Sequence, residues 1–186
     1  SIIKNRSALS ALVGYGLGLG VWQISLALSA SFYREVLGFS RSYVSFLISF
    51  MAISYIVGTQ LASRVVKRWG RRKTAIFSLL FLAFFSMFRY MFLTPIIAIA
   101  FGFFTCLTSG LCFTNLQGLN LEQVPDFRGS MMSLTSAFGS VGNVVALSLA
   151  GALLIGFNWS SMGLIVGSLG IFAALLVYRF VMEVSI

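Results

Sequence analysis

One stretch of the chain decides the fold, and it runs Ser63-Arg64-Val65-Val66-Lys67-Arg68-Trp69-Gly70-Arg71-Arg72-Lys73. It holds six of the thirteen basic residues and no acidic residue, and a long apolar run lies on either side of it. Short basic loops between hydrophobic segments resist translocation across a membrane. The stretch therefore predicts a cytoplasmic loop between two membrane spans, and it fixes the orientation of the other spans.

The composition is that of an integral membrane protein. The chain is 59% hydrophobic and 9% charged and has no histidine, whereas a soluble domain has about 25% charged residues. The net charge of +9 does not indicate nucleic-acid binding, because the basic residues lie at the edges of apolar runs. Cys106 and Cys112 fall within one apolar run and are interpreted as core residues. We expect a multi-pass protein of the cell membrane, in contact with the lipid bilayer.

Six apolar runs are long enough to span a bilayer, which takes about twenty helical residues. Charged or proline-containing links separate most of them, and Pro95 and Pro125 mark two of these links. The last fifty uncharged residues are too long for one span, and the break is placed at Gly156-Phe157-Asn158-Trp159-Ser160. The prediction is a single all-α bundle over residues 1–186, with spans at about 8–33, 42–63, 74–93, 96–118, 130–155 and 161–181.

The distribution of basic residues supports one orientation. With six spans and the basic loop inside, both termini are cytoplasmic, and ten basic residues lie inside against three outside. The inside residues are Lys4, Arg6, Arg64, Lys67, Arg68, Arg71, Arg72, Lys73, Arg128 and Arg179, and the outside residues are Arg34, Arg41 and Arg89.

Arg89 lies within the third span and has two interpretations. Helical geometry places it roughly 22 Å from Lys73, near the far interface. There it acts as an interface anchor that snorkels beside Tyr90. The alternative is a cation that faces substrate.

Three motifs resemble the major facilitator superfamily, in particular the carboxyl-terminal six-helix half of its drug and sugar efflux members. The family's loop motif is Gly-Arg-x-x-Asp-Arg-aromatic-Gly-Arg-Arg-Lys, and residues 63–73 align with it without a gap, except that Ser63 replaces glycine and Lys67 replaces aspartate. Val124-Pro125-Asp126-Phe127-Arg128-Gly129 is similar to the entry into the family's eleventh helix. Phe32-Tyr33-Arg34-Glu35-Val36-Leu37-Gly38-Phe39-Ser40 is similar to its connection between the seventh and eighth helices.

The resemblance implies a fold and a function. It implies two inverted three-helix repeats, with the first, second, fourth and fifth spans facing a central cavity. It also implies alternating-access transport of a small amphipathic solute, with efflux as one direction. A half of this kind needs a second six-helix unit, which is either a missing amino-terminal half or a second copy. The competing hypothesis is a membrane scaffold or degenerate transporter half that does not transport, and the departures at Ser63 and Lys67 favour it.

Polar residues at membrane depth are the candidates for the substrate cavity. Thr105, Thr108 and Asn115 recur at helical spacing in the fourth span. Each polar residue has an alternative role as a hydrogen-bonding contact between helices. The candidates are Gln23, Tyr55, Thr105, Thr108, Ser109, Asn115 and Asn143.

The basic loop and the loop after the fourth span form a candidate cytoplasmic gate. Gly70 permits a turn that a larger residue resists. Arg68, Arg71 and Arg72 would latch helix ends through their carbonyl groups or through a carboxylate, for which Asp126 is the nearest candidate. The alternative is retention of the loop by charge and anionic lipid. The full set is Ser63, Arg64, Lys67, Arg68, Gly70, Arg71, Arg72, Lys73, Pro125, Asp126, Arg128 and Gly129.

The predicted spans contain no Asp or Glu, and the chain has no His. A buried proton carrier and a hydrolytic site both need such residues. We therefore predict a protein that is not an enzyme and that uses no cofactor and no metal.

Overall fold

The computed structural model describes residues 5–156 and 158–182. Six helices within these ranges are long and apolar enough to cross a membrane, as predicted. Lys4 and Phe157, which entered the charge count and the predicted break, lie outside the described residues. The helices are α1 (Arg6–Ala27), α2 (Arg41–Trp69), α3 (Arg71–Met91), α4 (Pro95–Gln123), α5 (Arg128–Gly156) and α6 (Trp159–Phe180).

Local capping groups set several of these boundaries. The side-chain oxygens of Asn5 and Asn158 accept hydrogen bonds from backbone N–H groups in the first turns of α1 and α6. Ser40 does the same for α2. Asn and Ser are preferred at this position because they satisfy donors that the helix cannot. Pro95 begins α4, where its missing N–H costs nothing.

The first span is longer than the sequence predicted. After Leu28 it continues through a helical turn at Ser29–Ser31 and a π-helical segment at Phe32–Val36. Short π-helical segments inside helices are frequent at functional sites. The whole segment Arg6–Val36 is thus an interrupted helix that is long and apolar enough to cross a membrane.

The basic stretch is almost entirely helical, and the prediction of a loop there is wrong. α2 extends to Trp69, and α3 begins at Arg71, so that Gly70 alone makes the reversal. Gly70 has φ 82° and ψ 158°, a conformation that glycine adopts without a steric penalty. The expectation that Gly70 permits the turn is confirmed.

The pattern of helix neighbours repeats within the chain. α1 packs along α5 and α6, α4 packs along α2 and α3, and α3 packs along α6. Exchanging α1 with α4, α2 with α5 and α3 with α6 leaves this pattern unchanged. Because each helix reverses the direction of the chain, α4 runs opposite to α1. The bundle is thus consistent with two inverted three-helix repeats.

The two ends of the bundle differ in composition. The basic end contains Gly70, the start of α1, the link between α4 and α5, and the end of α6. The aromatic end contains Phe32, Tyr33, Tyr90 and Trp159, with Phe32 5.1 Å from Tyr90 and 5.3 Å from Trp159 between ring centroids. The basic residues predicted to lie inside, where described, are all at the basic end.

Candidate functional site

At the basic end, two arginines at the start of α3 hold the ends of two other helices. Arg71 Nε lies 2.7 Å from Glu122 Oε1 in the last turn of α4. Arg72 Nη2 donates a 2.6 Å hydrogen bond to the carbonyl oxygen of Tyr178 near the end of α6. A cation suits such a position because the carbonyl end of a helix carries partial negative charge. The two predicted modes of attachment, through a carboxylate and through a helix carbonyl, are both present.

The acid that pairs with Arg71 is Glu122, and the prediction of Asp126 is wrong. Asp126 lies in the exposed 3₁₀ turn Pro125–Phe127, whereas Glu122 is one helical turn earlier on α4 and faces α3. Gly118 makes room for the ion pair, because a Cβ there would collide with the Arg71 guanidinium. Asn115 also reaches this region, donating a 2.8 Å hydrogen bond from Nδ2 to the carbonyl of Arg71.

The other predicted gate residues do not join these contacts. Ser63 Oγ donates to the carbonyl of Gln60 in its own helix. The side chains of Arg64, Lys67, Arg68, Lys73, Arg128 and the backbone at Gly129 are exposed. Their gating role stays a prediction.

A second set of contacts at the basic end joins α1, α4 and the segment after α6. Ser7 Oγ donates to Gln123 Oε1 at 2.5 Å and accepts from Met182 N–H at 2.9 Å. Gln123 Nε2 donates to the Met182 carbonyl at 3.1 Å. Sequence reasoning missed this triad, because its members lie far apart along the chain and belong to no motif.

Arg89 is buried at the aromatic end, and the prediction that it snorkels to the interface is wrong. Its side chain is only 1% exposed. Its guanidinium donates to Ser29 Oγ at 2.7 Å and to the Ser25 carbonyl at 3.3 Å. It also lies 4.8 Å from the Tyr33 ring centroid and 5.6 Å from that of Tyr90. Aromatic faces and carbonyl groups stabilise a cation that has left water.

Arg89 also forms part of the wall of a cavity of about 340 Å³ between α1, α2, α3 and α4. Trp22 and Tyr55 form the wall from α1 and α2, with their rings stacked at 5.6 Å. The wall is otherwise largely apolar, with Ser29 beside Arg89. The remaining lining residues are Leu26, Ile48, Met51, Ala52, Ile56 and Cys106.

The predicted cavity residues are not gathered at one place. Tyr55 lines the cavity just described. The hydroxyl groups of Thr105, Thr108 and Ser109 donate to carbonyl groups of their own helix. Asn115 lies at the basic end. Gln23 and Asn143 are half-buried, and Asn143 Oδ1 is buried without a hydrogen-bond partner among the residues that the structure describes. The lining role of these residues stays a prediction.

Two residues that sequence reasoning missed take part in these contacts. Trp22 lies next to Gln23 on α1, and its ring stacks on that of Tyr55. Asn120 donates to Thr135 Oγ1 at 3.1 Å and joins α4 to α5. The largely uncharged composition of these helices gives no signal for either residue.

Known proteins resemble the chain over most of its length. Residues 9–185 match the family model described as Major Facilitator Superfamily. The chain is 22% identical over 168 residues to the "Hexuronate transporter" of Bacillus subtilis (strain 168), an alignment of 86% of this chain and 38% of that protein. It is 29% identical over 136 residues to "Uncharacterized MFS-type transporter YceJ" of the same strain, covering 73% of this chain and 32% of that protein. The chain thus spans about a third of the length of these curated relatives. The family model matches nearly all of the residues, and these residues form a bundle of six helices. This integral multi-pass membrane protein therefore belongs to the major facilitator superfamily of transporters.

Proposed function

We propose that the chain forms one six-helix half of an alternating-access transporter. It would rock against a second six-helix unit, and a small amphipathic solute would cross the membrane between the two. The observation that carries the proposal is that the six helices differ in the share of their residues that is buried within the bundle. In their most apolar windows, 17% of the residues of α5 and 28% of those of α2 are buried, against 44% to 56% in the other four helices. α2 and α5 are exchanged by the repeat relation, so the two uncovered helices are equivalent.

Low burial of both α2 and α5 is expected if the two helices belong to the surface that a second six-helix unit covers. Transport in this family's fold occurs by the rocking of one bundle against another around a central site. Ile56 on α2 and Val144 on α5 are both exposed. Asn143, beside Val144, has a side-chain carbonyl oxygen with no partner in the described part of the chain, and lipid cannot supply a hydrogen-bond donor at that depth. A second unit is either an amino-terminal half or another copy of the chain.

The cavity beside α2 is the proposed solute site within this half. Its apolar wall suits the body of an amphipathic molecule, and the Trp22 and Tyr55 rings offer flat faces for it. The similarity to a hexuronate transporter makes an acidic sugar one solute to test, since Arg89 supplies a cation at the wall. We place the basic end on the cytoplasmic side of the cell membrane, because most basic residues lie there.

The test combines association with transport. Ile56→Cys and Val144→Cys should each cross-link to the second unit in membranes, whereas Phe172→Cys, exposed on α6, should not. In proteoliposomes, Trp22→Ala and Tyr55→Ala should lower uptake of an active solute at least about tenfold. Tyr43→Ala, an exposed aromatic residue outside the cavity, is the matched control. Labelled glucuronate and a panel of amphipathic solutes are the probes.

The same preparation distinguishes the transporter from the scaffold. A chain that forms no cross-link through α2 or α5 and passes no probe would favour a scaffold or degenerate half. The carboxylates of the described residues, Glu35, Glu122 and Asp126, lie at helix ends or in a link, where they cannot carry a proton across the bilayer centre. An imposed pH gradient should therefore not drive accumulation by this chain alone, and accumulation driven by protons would contradict that expectation.

A further inference from the structure

A second cavity, of about 410 Å³, lies at the basic end between the end of α2 and the start of α3. Arg64 and Arg68 line it from α2, and Leu111 lines it from α4. The two arginines are four residues apart on α2, so that both point to the same face of that helix. The cavity, called the groove below, therefore has two arginines in the part of its wall that lies near the basic end of α2.

Neither of these two arginines has a carboxylate partner among the residues that the structure describes. The ion pair between Arg71 and Glu122 is the one found within residues 5–156 and 158–182. Arg64 and Arg68 are exposed and make no side-chain hydrogen bond within those ranges. The position where the family motif has aspartate is Lys67 here. Two positive charges close together, without an acid, favour a bound anion.

The opposite wall of the groove is apolar and runs along α3. Phe77 and Phe81 are 46% and 50% exposed, one helical turn apart. Trp69 lies at the charged end with its ring centroid 5.9 Å from that of Phe77. Phe81 is ten residues beyond Arg71, roughly 15 Å along the helix. The groove thus extends from the charged end of the bundle to a depth at which hydrocarbon surrounds the helices.

We propose that an anionic phospholipid occupies this groove, with its phosphate between Arg64 and Arg68 and an acyl chain against Phe77 and Phe81. The occupant needs both a negative headgroup and an apolar tail, and a lipid of the same leaflet has both. A soluble anion would use only the charged end. Trp69, at the junction, is in the position that indole rings prefer at membrane interfaces. The lipid phosphate supplies the negative charge that Lys67 does not.

Native mass spectrometry of the purified full chain tests this proposal. The chain is incubated with phosphatidylglycerol or with phosphatidylcholine of the same acyl chains. We expect phosphatidylglycerol to be retained at least about tenfold more strongly by the wild-type chain, and Arg64→Gln/Arg68→Gln to remove that preference. Lys67→Gln/Lys73→Gln removes two exposed positive charges from the same stretch without touching the groove, and it should retain the preference.

Three more measurements complete the test. They are thermal unfolding, displacement of the lipid by inorganic phosphate, and lipid retention by a variant of the apolar wall. Thermal unfolding checks that the variants fold, and Arg64→Gln alone should give an intermediate loss if the double variant is unstable. Equal loss in both double variants would mean diffuse attraction and overturn the proposal. Displacement of the lipid by millimolar inorganic phosphate would mean a simple anion site and would also overturn it. Phe77→Ser/Phe81→Ser should weaken retention of both lipids, and unchanged retention would contradict the acyl-chain contact.

Discussion

The arginines at the two ends of α3 differ in how deeply they are buried and in the groups that they contact. At the basic end, Arg71 and Arg72 are half-buried and attach to groups at the ends of α4 and α6. At the aromatic end, Arg89 is fully buried and attaches to the interrupted part of α1. Half-exposed ion pairs exchange easily with water, whereas a buried guanidinium has no such alternative. The contacts at one end of the helix can therefore be replaced by water, whereas those at the other end cannot.

The largest effect should follow from changing the aromatic end. Arg89→Ala removes the guanidinium and leaves a cavity among Ser29, Tyr33 and Tyr90. We expect the free energy of unfolding to fall by about 2 to 4 kcal/mol. Arg89→Lys should recover only part of it, because an ammonium cannot lie flat against both rings. Equilibrium unfolding in mixed detergent micelles measures this change, and a loss below about 0.5 kcal/mol would show that the contacts are replaceable.

A pair of glycines compares the two ends directly. A Cβ at Gly163 on α6 would lie 2.7 Å from the backbone carbonyl oxygen of Met87, near the aromatic end of α3. The three atoms nearest to a Cβ at Gly118 all belong to the tip of the Arg71 side chain. Gly163→Ala should lower the free energy of unfolding by about 1 to 3 kcal/mol because backbone must shift. Gly118→Ala should cost less than about 1 kcal/mol, since Arg71 can swing away.

The same unfolding measurement checks both glycine variants. Gly151→Ala serves as the control, because nothing lies within 4 Å of its added Cβ. A larger loss for Gly118→Ala than for Gly163→Ala would reverse the distinction between the two ends.

The smallest effect should come from the ion pair at the basic end. The Arg71 and Glu122 side chains are 31% and 20% exposed. A double-mutant cycle with Arg71→Gln and Glu122→Gln should give a coupling free energy of about 0.2 to 1 kcal/mol. The same cycle with Asp126→Asn in place of Glu122→Gln should give none. Coupling of Arg71 to Asp126 in that cycle would restore the partner that the sequence suggested.

The contrast also explains what could be predicted from the sequence. The spans follow from the length of the uncharged runs, and the turn at Gly70 follows from a glycine between two basic runs. Arg71 and Arg72 belong to a motif, so that the kind of group they attach to could be predicted. The choice of Glu122 over Asp126 depends on which turn of α4 faces α3, and residue spacing alone does not give that rotation.

Arg89 shows where sequence reasoning stops. The helical rise places it correctly near the far end of α3. Its burial depends on Ser25 and Ser29 in the first span, which lie sixty or more residues away. No periodicity within α3 signals that an interruption in another helix will present a carbonyl and a hydroxyl to it. Of the predicted cavity residues Tyr55 alone lines the candidate cavity, for the same reason, since its walls come from four helices.

The triad of Ser7, Gln123 and Met182 bears on how the protein is made. The hydrogen bond from Met182 N–H to Ser7 Oγ joins positions 175 residues apart, and α1 packs mainly against α5 and α6. A ribosome adding about 5 to 20 residues per second needs roughly 10 to 35 s to make that length. Until α6 has been made, α1 lacks part of the surface that it packs against in the folded bundle. Gly14 of α1 is then without Ala173 and Val177 of α6, which lie against it in the folded bundle, so the first helix acquires its final packing only when the last helix is complete.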